Sequence, residues 1–143
     1  PNDLYAIIIH PKIEIKTSEA RAILPKEIPL QKAITQWANV GSLVHALHTN
    51  DYELISKSLH DVVIEPYRSK LIPYFNEVKK VALEAGSLGC GISGSGPSIF
   101  NLSKGLKTAI NVETAIKNIY KNTTIEFDTY VCKINVEGIK IIN

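Results

Sequence analysis

The chain has 143 residues, 45% of them hydrophobic and 21% charged, the profile of one soluble globular domain. A chain of this length buries roughly two-thirds of its unfolded-state surface, so neither a disulfide framework nor a structural metal is required. A net charge of +2 is too small to point to nucleic acid, no apolar run approaches the ~20 residues of a membrane span, and no signal peptide opens the sequence. Cys90 and Cys132 lack metal-ligand spacing and read as buried apolar thiols in a reducing cytoplasm.

Asp3–His10 (DLYAIIIH) is a continuous β-branched run closed by Pro11, the pattern of a buried strand, and the alternation of Ile13 and Ile15 with charges suggests a short extension. Thr17 or Ser18 is positioned to cap a short helix that ends by Pro25. From Leu30, apolar residues at Ile34, Trp37, Val40, Val44 and Leu47 define an amphipathic helix that stops at Thr49-Asn50. Asp51 starts a second helix carrying Tyr52, Ile55, Leu59, Val62 and Val63, with Pro66 as its terminator. A third, beginning around Pro73, presents Phe75, Val78, Ala82 and Ala85 on one face and stops at Gly86.

Two short apolar runs then flank Ser93-Gly94-Ser95-Gly96-Pro97-Ser98, and five of the eight glycines fall between Gly86 and Gly96. A helix over Thr108–Tyr120 and strand-like segments at Ile125–Val136 and Gly138–Ile142 close the chain. The order is strand, helices, strand, tight loop, strand, helix, strand. It predicts an α+β domain, a doubled split β-α-β pattern with a four-stranded, mostly antiparallel sheet and helices on one face.

Three features suggest binding chemistry. Fourteen of the sixteen Lys and Arg residues are Lys, leaving Arg21 and Arg68 as the only planar forks matched to a carboxylate or phosphate. Thr17 and Arg21 lie four apart and share a helix face, a pairing suited to a small carboxylate, although a capping Thr beside an exposed Arg accounts for the spacing equally. In the loop, small residues let backbone amides approach an anion and Ser93, Ser95 and Ser98 add hydroxyls. The same residues also suit a plain hairpin turn. The loop is not a Walker motif, because no Lys-Ser/Thr pair and no helix follow it. Arg68, in Glu65-Pro66-Tyr67-Arg68, either reaches a cleft or pairs with Glu65. The four histidines form no metal site: His45 and His48 share a helix without a third ligand, and His10 and His60 carry no pattern. No residue stands out as a general base, so no catalytic residue is assigned.

Together, GISGSGPSIF (Gly91–Phe100), KTSEARAILP (Lys16–Pro25) and HDVVIEPYRSKLIP (His60–Pro73) resemble the GHMP small-molecule kinases, and the last two segments resemble their homoserine kinase branch. The likeness runs from about Leu4 to Ile142. It implies that residues 1–143 are the C-terminal, substrate-side domain, of the ferredoxin-like kind. It also implies transfer of the ATP γ-phosphoryl group to the hydroxyl of L-homoserine, giving O-phospho-L-homoserine in cytoplasmic threonine biosynthesis. By the same resemblance Thr17, Arg21, Arg68 and Gly94 surround the amino-acid substrate, and Ser93, Gly94, Ser95 and Gly96 form the loop nearest the phosphates. Nothing between Pro1 and Asn143 matches the family's nucleotide-binding signature or its acidic Mg²⁺ residue. ATP and Mg²⁺ are therefore expected to be bound mainly by an N-terminal domain, and the chain alone is expected to be inactive. A homodimer is expected as well, without nucleic-acid or membrane partners. The competing reading is a non-catalytic, ferredoxin-like regulatory domain that binds a small amino acid. An RNA-binding version fits poorly, because the strands offer Ile, Val and Cys rather than exposed aromatics.

Overall fold

A computed structural model describes residues 1–139 and 141. Its elements are β1 (Leu4–Pro11), α1 (Thr17–Ala22), α2 (Leu30–Thr49), α3 (Tyr52–Ser58), α4 (Glu65–Arg68) with a 3-10 turn (Ser69–Leu71), α5 (Phe75–Glu84), β2 (Gly89–Ile92), β3 (Ile99–Lys104), α6 (Leu106–Lys121) and β4 (Phe127–Lys133). The strands form one sheet in the order β2-β3-β1-β4, with every neighbouring pair antiparallel. This is the doubled split β-α-β arrangement, with α1 to α4 inserted in the first crossover. β1 has partners on both edges, which explains its continuous apolar run.

The two faces of β1 differ. Ile7 and Ile9 are fully buried with Cys90 and Ile99 under Phe75, Val78 and Ala82 of α5 and Ala109, Val112 and Ile116 of α6. Burying one such aliphatic side chain is worth about 1.5–3 kcal/mol, so this layer supplies most of the drive for folding. Tyr120 closes it from below, its hydroxyl donating to the Pro73 carbonyl at 2.7 Å and its ring meeting the edge of Tyr74. α5 and α6 are thus the helical layer on one face, as the pattern predicts. The inserted α2–α3 pair comes over edge strand β2 from the other side, where glycine is a steric requirement. A Cβ on Gly89 would lie 2.4 Å from Leu59 Cβ, and one on Gly91 would lie 2.7 Å from the Phe100 ring.

Several local expectations change. Residues 13–16 add no strand to β1, and α1 is capped at Lys16 with no side-chain bond rather than by Thr17 or Ser18. The second helix ends at Ser58; Val62 and Val63 lie in a turn and Pro66 opens α4 instead of closing α3. β4 ends at Lys133, and Gly138, Ile139 and Ile141 lie outside any strand; the rest of Gly138–Ile142 falls outside the described residues. Cys90 is buried as expected, but Cys132 is exposed, because it lies on the uncovered face of edge strand β4. Among the described residues no helix is long and apolar enough to cross a membrane.

Two measurements check this packing. Gly89→Ala forces the end of α3 off the sheet and should cost about 1–3 kcal/mol, seen as a lower urea midpoint; an unchanged midpoint would contradict the contact. Burial pushes the Cys90 thiol up to about 12, so at pH 8 a thiol reagent should titrate Cys132 alone in the native chain and reach Cys90 only after unfolding.

Candidate functional site

The site is built from the stretch that follows α3. Asp61 organises it: Oδ1 accepts from the amides of Val63 and Ile64, both at 2.8 Å, and Oδ2 from the Glu65 amide at 3.2 Å. Its carboxylate therefore takes up amide donors that the start of a short helix leaves without partners. α2 holds the same stretch from the side. Gln36 Oε1 accepts from the Val62 amide at 3.0 Å, and Asn39 Nδ2 donates to the His60 carbonyl at 2.8 Å. Pro66 then fits the first turn of α4, where no amide donor is needed. Glu65 pairs with Lys79 of α5, and both side chains are largely covered.

This scaffold aims Arg68. Its Nε donates to the Ala20 carbonyl at 3.1 Å and its Nη1 to the Gly94 carbonyl at 2.8 Å. One guanidinium thus joins α1, α4 and the Gly/Ser loop, three segments far apart in sequence. Guanidinium carries five N–H groups, so Arg68 keeps donors for a ligand after making both bonds.

The loop is a hairpin turn with an open tip. The Ser93 amide donates to the Ser98 carbonyl at 2.8 Å and the Gly96 amide to the Ser93 carbonyl at 3.1 Å. Gly94 and Gly96 have φ of +62° and +87°, left-handed values that favour glycine. A Cβ on Gly96 would approach Ile72 at 3.1 Å and Ile15 at 3.4 Å, whereas one on Gly94 would meet nothing within 4 Å. The loop is therefore wedged at its base and clear at its tip. Ser98 Oγ lies 2.8 Å from His10 Nδ1, which fastens the far strand of the hairpin to β1.

Thr17 and Arg21 are both exposed on α1, the first about one turn before Ala20, whose carbonyl Arg68 holds, and the second immediately after it. The Thr17 hydroxyl caps nothing, and among the described residues Arg21 has no acidic partner. A cavity of about 340 Å³ opens beside Arg68 and Gly94, walled on its apolar side by Leu43, Ile64 and Phe100. Its two carboxylates are already committed, Asp61 to three amides and Glu65 to Lys79. Among the described residues neither hydrogen-bonds Arg68, although Asp61 keeps its own negative charge, and the remaining Arg68 donors beside the clear backbone at Gly94 suit a small anion.

The structure thus brings Arg68, Gly94 and α1 into one assembly. His45 and His48 are exposed away from it, whereas His60 lines the cavity and His10 bonds Ser98 of the hairpin. Among the described residues no three His, Cys, Asp or Glu side chains converge as a metal site. Asp61, Asn39, Lys79 and His10 were not singled out by sequence reasoning. Only Asp61 had a legible signal, an acidic residue four before Glu65-Pro66; the others act through contacts distant in sequence.

Known proteins resemble this chain in sequence and fold. The family model for the C-terminal part of the GHMP kinases matches residues 43–122. A homoserine kinase from Chlorobaculum tepidum is 47% identical over 145 residues, covering 100% of this chain and 45% of that protein. One from Chloroherpeton thalassium is 48% identical over 143 residues, covering 99% and 45%. The crystal structure of homoserine kinase from Cytophaga hutchinsonii superposes with a TM-score of 0.92 at 52% identity, over 94% of this chain and 43% of that one. A Streptococcus pneumoniae phosphomevalonate kinase shares the fold at a TM-score of 0.70 and 17% identity. The chain spans a little under half the length of the curated relatives it matches. With a family model matching more than half its residues and a homoserine kinase structure superposing on nearly all of it, the chain belongs to the GHMP kinases, as their C-terminal domain.

Proposed function

We propose that this chain is the substrate side of an ATP-dependent homoserine kinase, which transfers the γ-phosphoryl group of ATP to the side-chain hydroxyl of L-homoserine. The observation that carries the reading is the pair of hydrogen bonds that Arg68 donates to the Ala20 and Gly94 carbonyls, because it sets a carboxylate-suited helix beside an anion-suited loop. In this reading Arg21 offers its free fork to the substrate carboxylate, Thr17 adds a hydroxyl from the same helix face, and Arg68 supplies its remaining N–H groups. The open tip at Gly94 leaves room for the hydroxyl-bearing end. Ser93, Ser95 and the backbone up to Gly96 line the approach of the terminal phosphate.

Phosphoryl transfer asks a protein mainly for positioning and for stabilisation of spread negative charge, and these residues are equipped for both. Mg²⁺ and the rest of the nucleotide fall to residues outside this chain. That division agrees with the lack of a nucleotide-binding signature between Pro1 and Asn143 and with coverage of under half of the relatives. When bound, Mg²⁺ would screen the charge of the phosphates.

Two outcomes follow. The chain alone should form no ADP in response to L-homoserine; homoserine-dependent turnover by these 143 residues would overturn the division of labour. In the enzyme that joins this chain to an ATP-binding portion, Arg21→Ala should raise the homoserine KM at least about 30-fold, from the ~2–5 kcal/mol lost when a buried charge loses its partner. The ATP KM should stay within about twofold. Equal rises in both constants would remove the carboxylate role from Arg21.

A further inference from the structure

Arg68 has a carboxylate within reach on its own helix, and the fold keeps the two apart. Glu65 stands three residues before Arg68 in the four-residue α4, the spacing at which helical side chains of opposite charge meet. Both residues line the same cavity. Yet Arg68 donates to the Ala20 and Gly94 carbonyls, and Glu65 takes Lys79 of α5, fourteen residues further on.

Burial makes the choice of partner matter. The side chains of Glu65 and Lys79 are only 14% and 19% exposed. A carboxylate so far out of water has to be held by a cation, because an uncompensated buried charge is strongly destabilising. Two cations stand near enough, the Lys79 ammonium and the Arg68 guanidinium. The other carboxylate on the cavity, Asp61, does not compete for either, since its oxygens accept from the amides of Val63, Ile64 and Glu65. Lys79 projects from a ten-residue helix that Phe75, Val78 and Ala82 anchor in the core. α4 is a single turn with no buried residue of its own, so its side chains yield to whatever α5 offers them.

We propose that Lys79 is a positioning residue: it occupies the Glu65 carboxylate and so keeps the Arg68 guanidinium free for the Gly94 carbonyl and for a bound carboxylate. Lys79 is not among the residues that line the cavity, so it acts through Glu65. The proposal rests on the phosphoryl-transfer reading only for what Arg68 binds; the competition of Lys79 and Arg68 for Glu65 does not depend on it.

This role has a signature that a merely structural ion pair lacks. Removing either partner breaks the same bond, but only the loss of Lys79 leaves a carboxylate that draws Arg68 away. In the enzyme that joins this chain to an ATP-binding portion, Lys79→Met should raise the homoserine KM at least about fivefold, while Glu65→Gln leaves it within about twofold. Both substitutions together should bring it back to within about twofold of the original, and Lys79→Arg, which keeps the charge, should stay there too. The ATP KM should hold within about twofold throughout. Equal rises from Lys79→Met and Glu65→Gln, or a double variant no better than Lys79→Met, would overturn the proposal and leave the pair a structural support.

Crystal structures of the same enzyme variants read the event without turnover. Lys79→Met should show Glu65 accepting from Arg68 and the bond from Arg68 to Gly94 broken; an unmoved Arg68 would overturn the proposal. An enzyme that does not phosphorylate L-homoserine would remove the phosphoryl-transfer reading, and these structures would still decide the role of Lys79. Circular dichroism checks that each variant is folded. Lys79→Gln, whose neutral amide holds the carboxylate less firmly, replaces Lys79→Met should that variant not fold; the homoserine KM should again rise, and no rise would overturn the proposal.

Discussion

The bond pattern of Arg68 is the constraint on which the site depends. A single guanidinium satisfies carbonyls from α1 and from the hairpin tip, and it can do so only because its own helix is fixed from three directions. Asp61 holds the start of α4, Lys79 fixes Glu65, and α2 pins the turn through Gln36 and Asn39. Lysine could not stand in for it: an ammonium is one point of charge and has no planar fork to span two acceptors. That explains why a chain that otherwise uses Lys keeps an Arg here. It also gives the two arginines different duties, Arg68 structural first and Arg21 free.

The sheet makes this economy possible. β2 and β3 form a hairpin whose inner face joins the core through Cys90 and Ile99, while glycines at 89 and 91 let Leu59 and Phe100 come close on the outer face. The loop between those strands is therefore carried on a rigid base, and His10 fastens its far side to the central strand. Rigid support with an open tip suits a group that must position phosphate or hydroxyl oxygens without reorganising at each turnover.

Much of this was legible in the sequence, for identifiable reasons. β1, β3, α5 and α6 are read well because each pairs a clear periodicity with burial on one side, and the hairpin because its glycines are concentrated. α2 was found in place, but its apolar stripe implies a buried face where the fold presents an exposed one; hydrophobic spacing reports that a face seeks cover, not where the cover comes from. The end of α3 was misplaced because Val62 and Val63 continue the helical spacing while Asp61 captures the backbone in a turn. The loop and Arg68 were both singled out, yet their direct contact was invisible, since twenty-six residues separate Arg68 from Gly94 and only the sheet brings them together.

The most direct test of the central claim is a crystal structure of the enzyme that contains this chain, bound to L-homoserine and a non-hydrolysable ATP analogue. The substrate carboxylate should lie within hydrogen-bonding distance of the Arg21 guanidinium and of a free N–H of Arg68, with the hydroxyl directed toward the loop from Ser93 to Gly96. A carboxylate bound away from both arginines, or an Arg68 that releases Ala20 and Gly94 to reach it, would contradict the account.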